Sequence, residues 1–304
     1  MWWIWLAGLG LLAGCESSSG AQDAAIDAGT DAAIDAQSCA CTYGQASVAG
    51  TITSPGAAEL SGLVASHTVP GLVWTHNDSG DGARLFAVST TGIARGVGTL
   101  AGATATDWED IAWGPCGSAS CLFVADIGDN ALGRTSVQIY EVDEPSQING
   151  PVNLTYRAFD VAYPDGPHNA ESLFVDPRDG ATYVITKQAT NPSTVFRMPR
   201  TAGVMATAVS AGTITIPSGT LLITAADLHA DACGVRLLVR TYDALFELRG
   251  AATVTIAQLL SSTPVPVPHG SEMQGEAVTY LPDGRSYLTV SEGASPALSR
   301  VACN

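Results

Sequence analysis

Residues 171–197 read ESLFVDPRDGATYVITKQATNPSTVFR, and this stretch decides the fold. A short apolar run ends in a DPRDG turn. A second run, TYVIT, leads through a polar loop to a third, marked by the pair Val195-Phe196. Runs this short, bounded by Asp, Gly, Pro and Asn, predict strands joined by tight turns.

Working outward, the same unit recurs. Its first strand is GLVAS after Ser61, DIAWG after Glu109, SLFVD after Glu171, DLHAD after Ala226 and AVTYL after Glu276. Aligning the leading apolar residue gives Leu63, Ile111, Leu173, Leu228 and Val278, at steps of 48, 62, 55 and 50. Second strands follow as LVWTHN, LFVAD, TYVIT, LLVRT and YLTVS. The third carries Leu85-Phe86, Ile139-Tyr140, Val195-Phe196, Leu245-Phe246 and, more weakly, Ala297-Leu298. A variable fourth strand comes last, as in NLTYRAFDVAY or TVTIAQLL. Self-similarity at this period marks a repeat architecture. Four strands per copy arranged radially describe a β-propeller, here all-β with five four-stranded blades. The fifth copy lacks its last strand because the sequence stops at Asn304, and residues 46–53, ASVAGTIT, are the expected closing strand. A sixth blade would need a copy that the sequence does not show, and a β-sandwich is the alternative with the same strand count.

Ahead of this domain (39–304) the composition changes twice. Residues 1–14, MWWIWLAGLGLLAG, are uncharged and too short to span a bilayer, so they read as the apolar core of an export signal, although no Lys or Arg precedes them. Leu11-Leu12-Ala13-Gly14-Cys15 resembles a bacterial lipobox, with Cys15 the lipidated residue. Residues 16–38 carry Glu16, Asp23, Asp27, Asp31 and Asp35 with no base and no aromatic residue, the signature of a disordered spacer. The expected address is therefore the bacterial cell envelope, extracytoplasmic, with the membrane touched only through the lipid. Net charge is −16, and removing the five spacer acids leaves −11 on the domain, which excludes nucleic acid as a partner. The domain reads as a monomer with a small-molecule or surface ligand.

Six further cysteines suit disulfides in an exported chain. Cys116 and Cys121 flank four residues and are expected to staple a hairpin. Cys39 or Cys41 is expected to reach Cys303, leaving Cys233 for the other.

The polar signatures fall where propeller loops open on one face. Before the first strands lie Asp107, Glu109, Asp110, Glu171, Asp227 and Glu276; after the second strands lie Asn77-Asp78, Asp126 to Asn130, Lys187, Arg240 to Tyr242 and Glu292. First strands line a propeller's channel, so these acids should meet at its mouth. Crowded carboxylates raise one another's pKa unless a cation offsets them, and a ring of oxygens suits calcium. Asp107, Glu109, Asp110, Asp126, Asp129, Glu171, Asp227 and Glu276 are thus the candidate metal ligands. Lys187, the only lysine, and Arg240 are candidates to hold an anionic group. His168 is a candidate proton carrier. Asn77, Asp78, Asn130, Tyr242 and Glu292 complete the pocket.

The series NDSG (77–80), DWEDIA (107–112), DIGDN (126–130) and SEG (291–293) resembles a largely uncharacterised family of secreted, phytase-like bacterial propellers, across roughly 59–293. More distantly, the acidic face is similar to calcium-dependent propeller phytases and lactonase-type propellers. The resemblance implies calcium and hydrolysis of a phosphoester, ester or lactone, with Glu109, Glu171, Lys187, Arg240 and Glu276 carrying the chemistry. A non-catalytic binding module with structural calcium and a glycoside hydrolase are the other readings.

Overall fold

The computed structural model describes Cys39 and residues 41–304. The export signal, Cys15 and the acidic spacer lie outside the described residues.

A first strand, β1 (Ser47–Thr51), precedes the repeats. Blade 1 follows as β2 (Leu60–Ala65), β3 (Leu72–Asn77), β4 (Arg84–Ser89) and β5 (Ala94–Thr99). Blade 2 is β6 (Trp108–Cys116), β7 (Ala119–Asp126), β8 (Val137–Asp143) and β10 (Tyr156–Ala162), with β9 (Gly150–Asn153) crossing to pair in parallel with β5. Blade 3 is β11 (Ala170–Val175), β12 (Thr182–Thr186), β13 (Ser193–Arg197) and β15 (Val209–Ile214), while β14 (Ala206–Thr207) crosses back to β10. Blade 4 is β16 (Ile223–Asp231), β17 (Gly234–Thr241), β18 (Leu245–Gly250) and β19 (Val265–Pro266). Blade 5 is β20 (Gly275–Tyr280), β21 (Ser286–Ser291) and β22 (Ala297–Ala302), completed by β1. The chain is thus a five-bladed propeller, and its N-terminal strand closes the ring as the missing strand requires. Their antiparallel register runs from Ser47 opposite Arg300 to Thr51 opposite Ala297.

Inner strands are buried on both faces because each blade is covered by two neighbours. Every residue of β2, β3, β11, β12 and β20 is buried, which is why the sequence shows continuous apolar runs rather than alternation. Five apolar clusters fill the five seams. Trp74 and Leu85 meet Trp108 and Tyr140 between blades 1 and 2; Phe123 meets Phe196; Phe174 meets Phe246; Leu238 meets Tyr287; Phe86 meets Leu288.

Two expectations change. TVTIAQLL is not a strand: Ile256–Leu260 form a short helix, α1, because Thr255 and Gln258 make a reciprocal capping box at its start. The fourth strand of that blade is instead β19. Blade 4 is also shifted in register, as described below.

The disulfides are Cys116–Cys121, Cys39–Cys233 and Cys41–Cys303, with Cα separations of 5.8, 5.2 and 5.2 Å. The last two fasten the start of the domain to blades 4 and 5. Among the described residues no helix is long and apolar enough to cross a membrane.

Candidate functional site

Each of the five innermost strands carries a register shift against its partner near the same end. The shifts fall between Leu60 and Leu63, Trp108 and Asp110, Ala170 and Ser172, Ile223 and Ala225, and Gly275 and Ala277. A bulge of this kind leaves one residue without a ladder partner and re-aims its side chain. The skipped residues include Ser61, Glu109, Glu171, Thr224 and Glu276. Three bulged glutamates therefore turn towards one mouth of the channel, and this is what gathers the site.

The blade 4 register now becomes clear. Alignment on Leu228 put Ala226 opposite the glutamates, with the acid Asp227 one place on, but the bulge places Thr224 at the glutamate position. β16 is nine residues long, and Asp227 is its central residue, three places below Thr224.

Glu109, Glu171 and Glu276 line a cup of about 190 Å³ together with Asp78, Asn130, Lys187, Tyr242, Gln274 and Glu292. All five blades contribute. Four rim positions are set by one repeated backbone bond, from the residue after the second strand to the residue before the first. Asp78 N–H donates to Glu59 at 2.8 Å, Ile127 to Asp107 at 3.2 Å, Lys187 to Asn169 at 3.0 Å and Glu292 to Gln274 at 3.1 Å. Lys187 thus stands where Asp78 stands in blade 1.

Two halves divide the cup. On one side, carboxylate oxygens of Asp78, Asp107 and Glu109 all lie within 4.8 Å of one another. Gly128 makes room for them, since a Cβ there would collide with Oε1 of Glu109 and Oδ2 of Asp107. Burial, then the carboxylates of Glu171, Asp78 and Asp107, push Glu109 well above the ordinary glutamate range. Burial and Asp78 likewise raise Asp107. The donor set is all oxygen and partly buried, which fits a hard divalent cation such as calcium.

On the other side, Lys187 is ion-paired to Glu171, and its Nζ donates to the Tyr242 hydroxyl at 2.5 Å. Burial alone would lower the lysine, but the Glu171 carboxylate and Tyr242 outweigh it and hold the ammonium charged. Burial raises Glu171, and Lys187 opposes that only in part. Glu276 forms no ion pair, and Lys187 acts on it only as a minor opposing charge. Its Oε1 accepts from Gln274 Nε2 at 2.7 Å, yet burial lifts its pKa to about 8, so at neutral pH it is a carboxylic acid.

The remaining sequence candidates lie outside the cup. Asp110 is wholly buried and accepts backbone N–H bonds from Ile111, Leu173 and Ala226 at 2.8, 2.8 and 3.2 Å, tying blades 2, 3 and 4. Asp227 accepts from Tyr280 N–H at 2.7 Å, tying blade 4 to blade 5. With Ser61 Oγ donating to the Glu109 carbonyl and Ala65 N–H to Thr279 Oγ1, these bonds close a ring around the channel. Asp126 accepts from Thr106 and Asp107 N–H and pairs with Arg134 at 2.7 Å; Asp129 accepts from Gly133 and Arg134 N–H. DIGDN is thus a turn held by its own acids. Asn77 accepts from Ala58 and Glu59 N–H and shapes the loop before β2. His168 pairs with Asp165 at 2.8 Å. Arg240 is 0% exposed between blades 4 and 5, closed by Glu272 at 2.6 Å, with its guanidinium against Gly275.

Gln274 was not among the candidates. A signal for it was present: Asp107-Trp108-Glu109, Asn169-Ala170-Glu171 and Gln274-Gly275-Glu276 repeat an acid or amide two places before each bulged glutamate.

No protein-family model and no curated protein matches the chain. Among solved structures it is similar to Raptor from Chaetomium thermophilum, at 12% identity and a TM-score of 0.39 over 82% of this chain and 20% of that one. It is also similar to an engineered GH43 glycoside hydrolase with endo-xylanase and exo-arabinofuranosidase activity, at 14% identity and a TM-score of 0.48 over 84% of this chain and 52% of that one. The chain therefore spans about a fifth of the first protein and about half of the second, and neither likeness bears on its function.

Proposed function

We propose that the cup is the active site of a cation-assisted hydrolase acting on an ester, phosphoester or lactone, held at a bacterial cell envelope through Cys15. The observation that carries this reading is the convergence of Asp78, Asp107 and Glu109 within 4.8 Å while the one lysine is already engaged by Glu171. Three crowded acids that form no ion pair call for a cation, and calcium suits their oxygen donors. A calcium ion held there supplies Lewis-acid polarisation of a substrate oxygen. The protein's own groups do the rest. The charged Lys187, steadied by Glu171 and Tyr242, stabilises negative charge that develops on the substrate. Glu276 accepts from Gln274 at Oε1, which leaves Oε2 to carry the proton that a leaving oxygen needs.

The test is thermal melting of chelator-stripped protein titrated with calcium, magnesium and zinc. Calcium should raise the melting temperature, and Glu109→Gln or Asp107→Asn should abolish the rise. No response to any cation would sink this reading.

Glu276 also favours a second reading, glycoside hydrolysis, in which this raised glutamate is the acid and a second carboxylate of the cup is its partner. Turnover of sugar substrates in chelator, lost in Glu276→Gln, would select it. Ligand retention without turnover on any panel would leave a binding module.

A further inference from the structure

The cup does not end at its rim. On the side of blade 5 it continues into a groove of about 520 Å³, and Gln274 and Glu292 belong to the walls of both. The cup is lined almost wholly by charged and amide groups. The groove adds the apolar Ala58, Met273, Pro296 and Ala297 among polar walls that include Glu59, Ser271 and Ser291.

Met273 is 101% exposed, the highest value of any large apolar side chain among the described residues. A single apolar residue in water is ordinary on a loosely held loop. This loop is not loosely held. On one side Glu272, whose side chain is 3% exposed, pairs with Arg240 and accepts from Thr289 Oγ1 at 2.5 Å. On the other, Gln274 donates to both Glu276 and Glu292. The methionine is held outward between two fixed neighbours, at the lip of a groove that runs into the cup. An unbranched, polarisable side chain in that position suits a variable apolar ligand.

We propose that cup and groove form one bipartite site for an amphipathic ester or phosphoester, with the oxygen-rich head in the cup and an apolar arm along Met273. This inference rests on the hydrolytic reading of the cup. The bond joining head to arm then lies beside Gln274 and Glu276. Water adds to the head, the bond to the arm's oxygen breaks, and that oxygen takes the Glu276 proton. The proton released by the water restores Glu276. Arg240 and Glu272 act as positioning residues, since they fix the loop that carries both Met273 and Gln274.

Methylphosphonate and octylphosphonate, which share a head and cannot be hydrolysed at the P–C bond, separate the two halves. Their affinities are measured by calorimetry on the calcium-loaded full chain, below the micellar range. Each methylene buried along Met273 should tighten binding about fourfold, so octylphosphonate should bind at least about tenfold more tightly than methylphosphonate. Met273→Asp should erase that preference, read as the ratio of the two affinities so that the effect of the new charge on the shared head cancels. Glu109→Gln should weaken both ligands alike. Methylphosphonate binding without a chain-length preference, or a preference that survives Met273→Asp, would overturn the groove and leave the cup standing. A Met273-dependent preference that ignores Glu109→Gln would keep the groove and overturn the cup as the head site. No binding of either ligand would overturn the bipartite site.

Discussion

Glu276→Gln should make the protein more stable at alkaline pH while removing its proposed proton donor. In the folded chain, burial lifts the Glu276 midpoint from an ordinary 4.5 to about 8. A carboxyl whose folded midpoint is raised contributes stability below its unfolded midpoint and loses it as pH rises through the folded one. The window is therefore from about pH 4.5 to about pH 8. At about 1.4 kcal/mol per pH unit, the loss across that window reaches a ceiling of about 5 kcal/mol. Glutamine keeps the acceptor for Gln274 and has no proton to lose, so the variant escapes the decline. Wild type and variant should melt together at pH 5, and the variant should lead by up to about 10 °C at pH 9, taking about 2 °C per kcal/mol for a domain of this size. Melting followed by circular dichroism from pH 5 to 9 in chelator reads the difference directly, because the other buried acids are common to both proteins. Parallel curves across the range would refute the reasoning. They would mean that Glu276 ionises freely in the cup and is no proton donor at neutral pH.

Lys187→Met removes the counter-ion of a buried carboxylate and should cost about 3 kcal/mol in urea unfolding at pH 8. The deficit should shrink as pH falls and Glu171 takes up a proton, and Glu171→Gln in the same chain should recover most of it. Asp110→Ala strands three backbone donors and should cost about 3 kcal/mol or more, whereas Asp110→Asn, which keeps an acceptor, should cost far less; equal losses would show that the carboxyl does not tie the blades. Gly128→Ala should leave the fold in place but abolish the calcium-induced rise in melting temperature, because its methyl group meets Glu109 and Asp107.

The blades were legible because a strand covered on both faces must be apolar throughout, and five such runs cannot hide in a sequence rich in turns. The bulged glutamates were legible for a related reason: each stands at the head of an apolar run, where a charge is conspicuous. Blade 4 misled because Thr224 replaces the glutamate, while Asp227, three residues on, imitates it. α1 was missed because Thr, Val and Ile suggest extended chain, and only the Thr255–Gln258 cap says otherwise. DIGDN shows a deeper limit. Asp, Asn and Gly serve a self-bonded turn and a calcium loop equally well, and only the hydrogen bonds of Asp126 and Asp129 distinguish them. Arg240 looked available because its partner, Glu272, lies in a loop with no pattern of its own.

The two disulfides at the start of the domain also decide how a pull on the chain is borne. Cys39 is bonded to Cys233 in the β16–β17 turn, and Cys41 to Cys303 just past β22, both on the face opposite the cup. Tension arriving from the N-terminal side reaches these covalent links before it reaches β1, the strand that closes blade 5. The load passes into two blades at once, and the closing strand is spared the peeling that opens a zipper from its end. The same arrangement sets a direction: a molecule leashed by that end hangs with its cup turned away from the point of attachment, towards whatever drifts past.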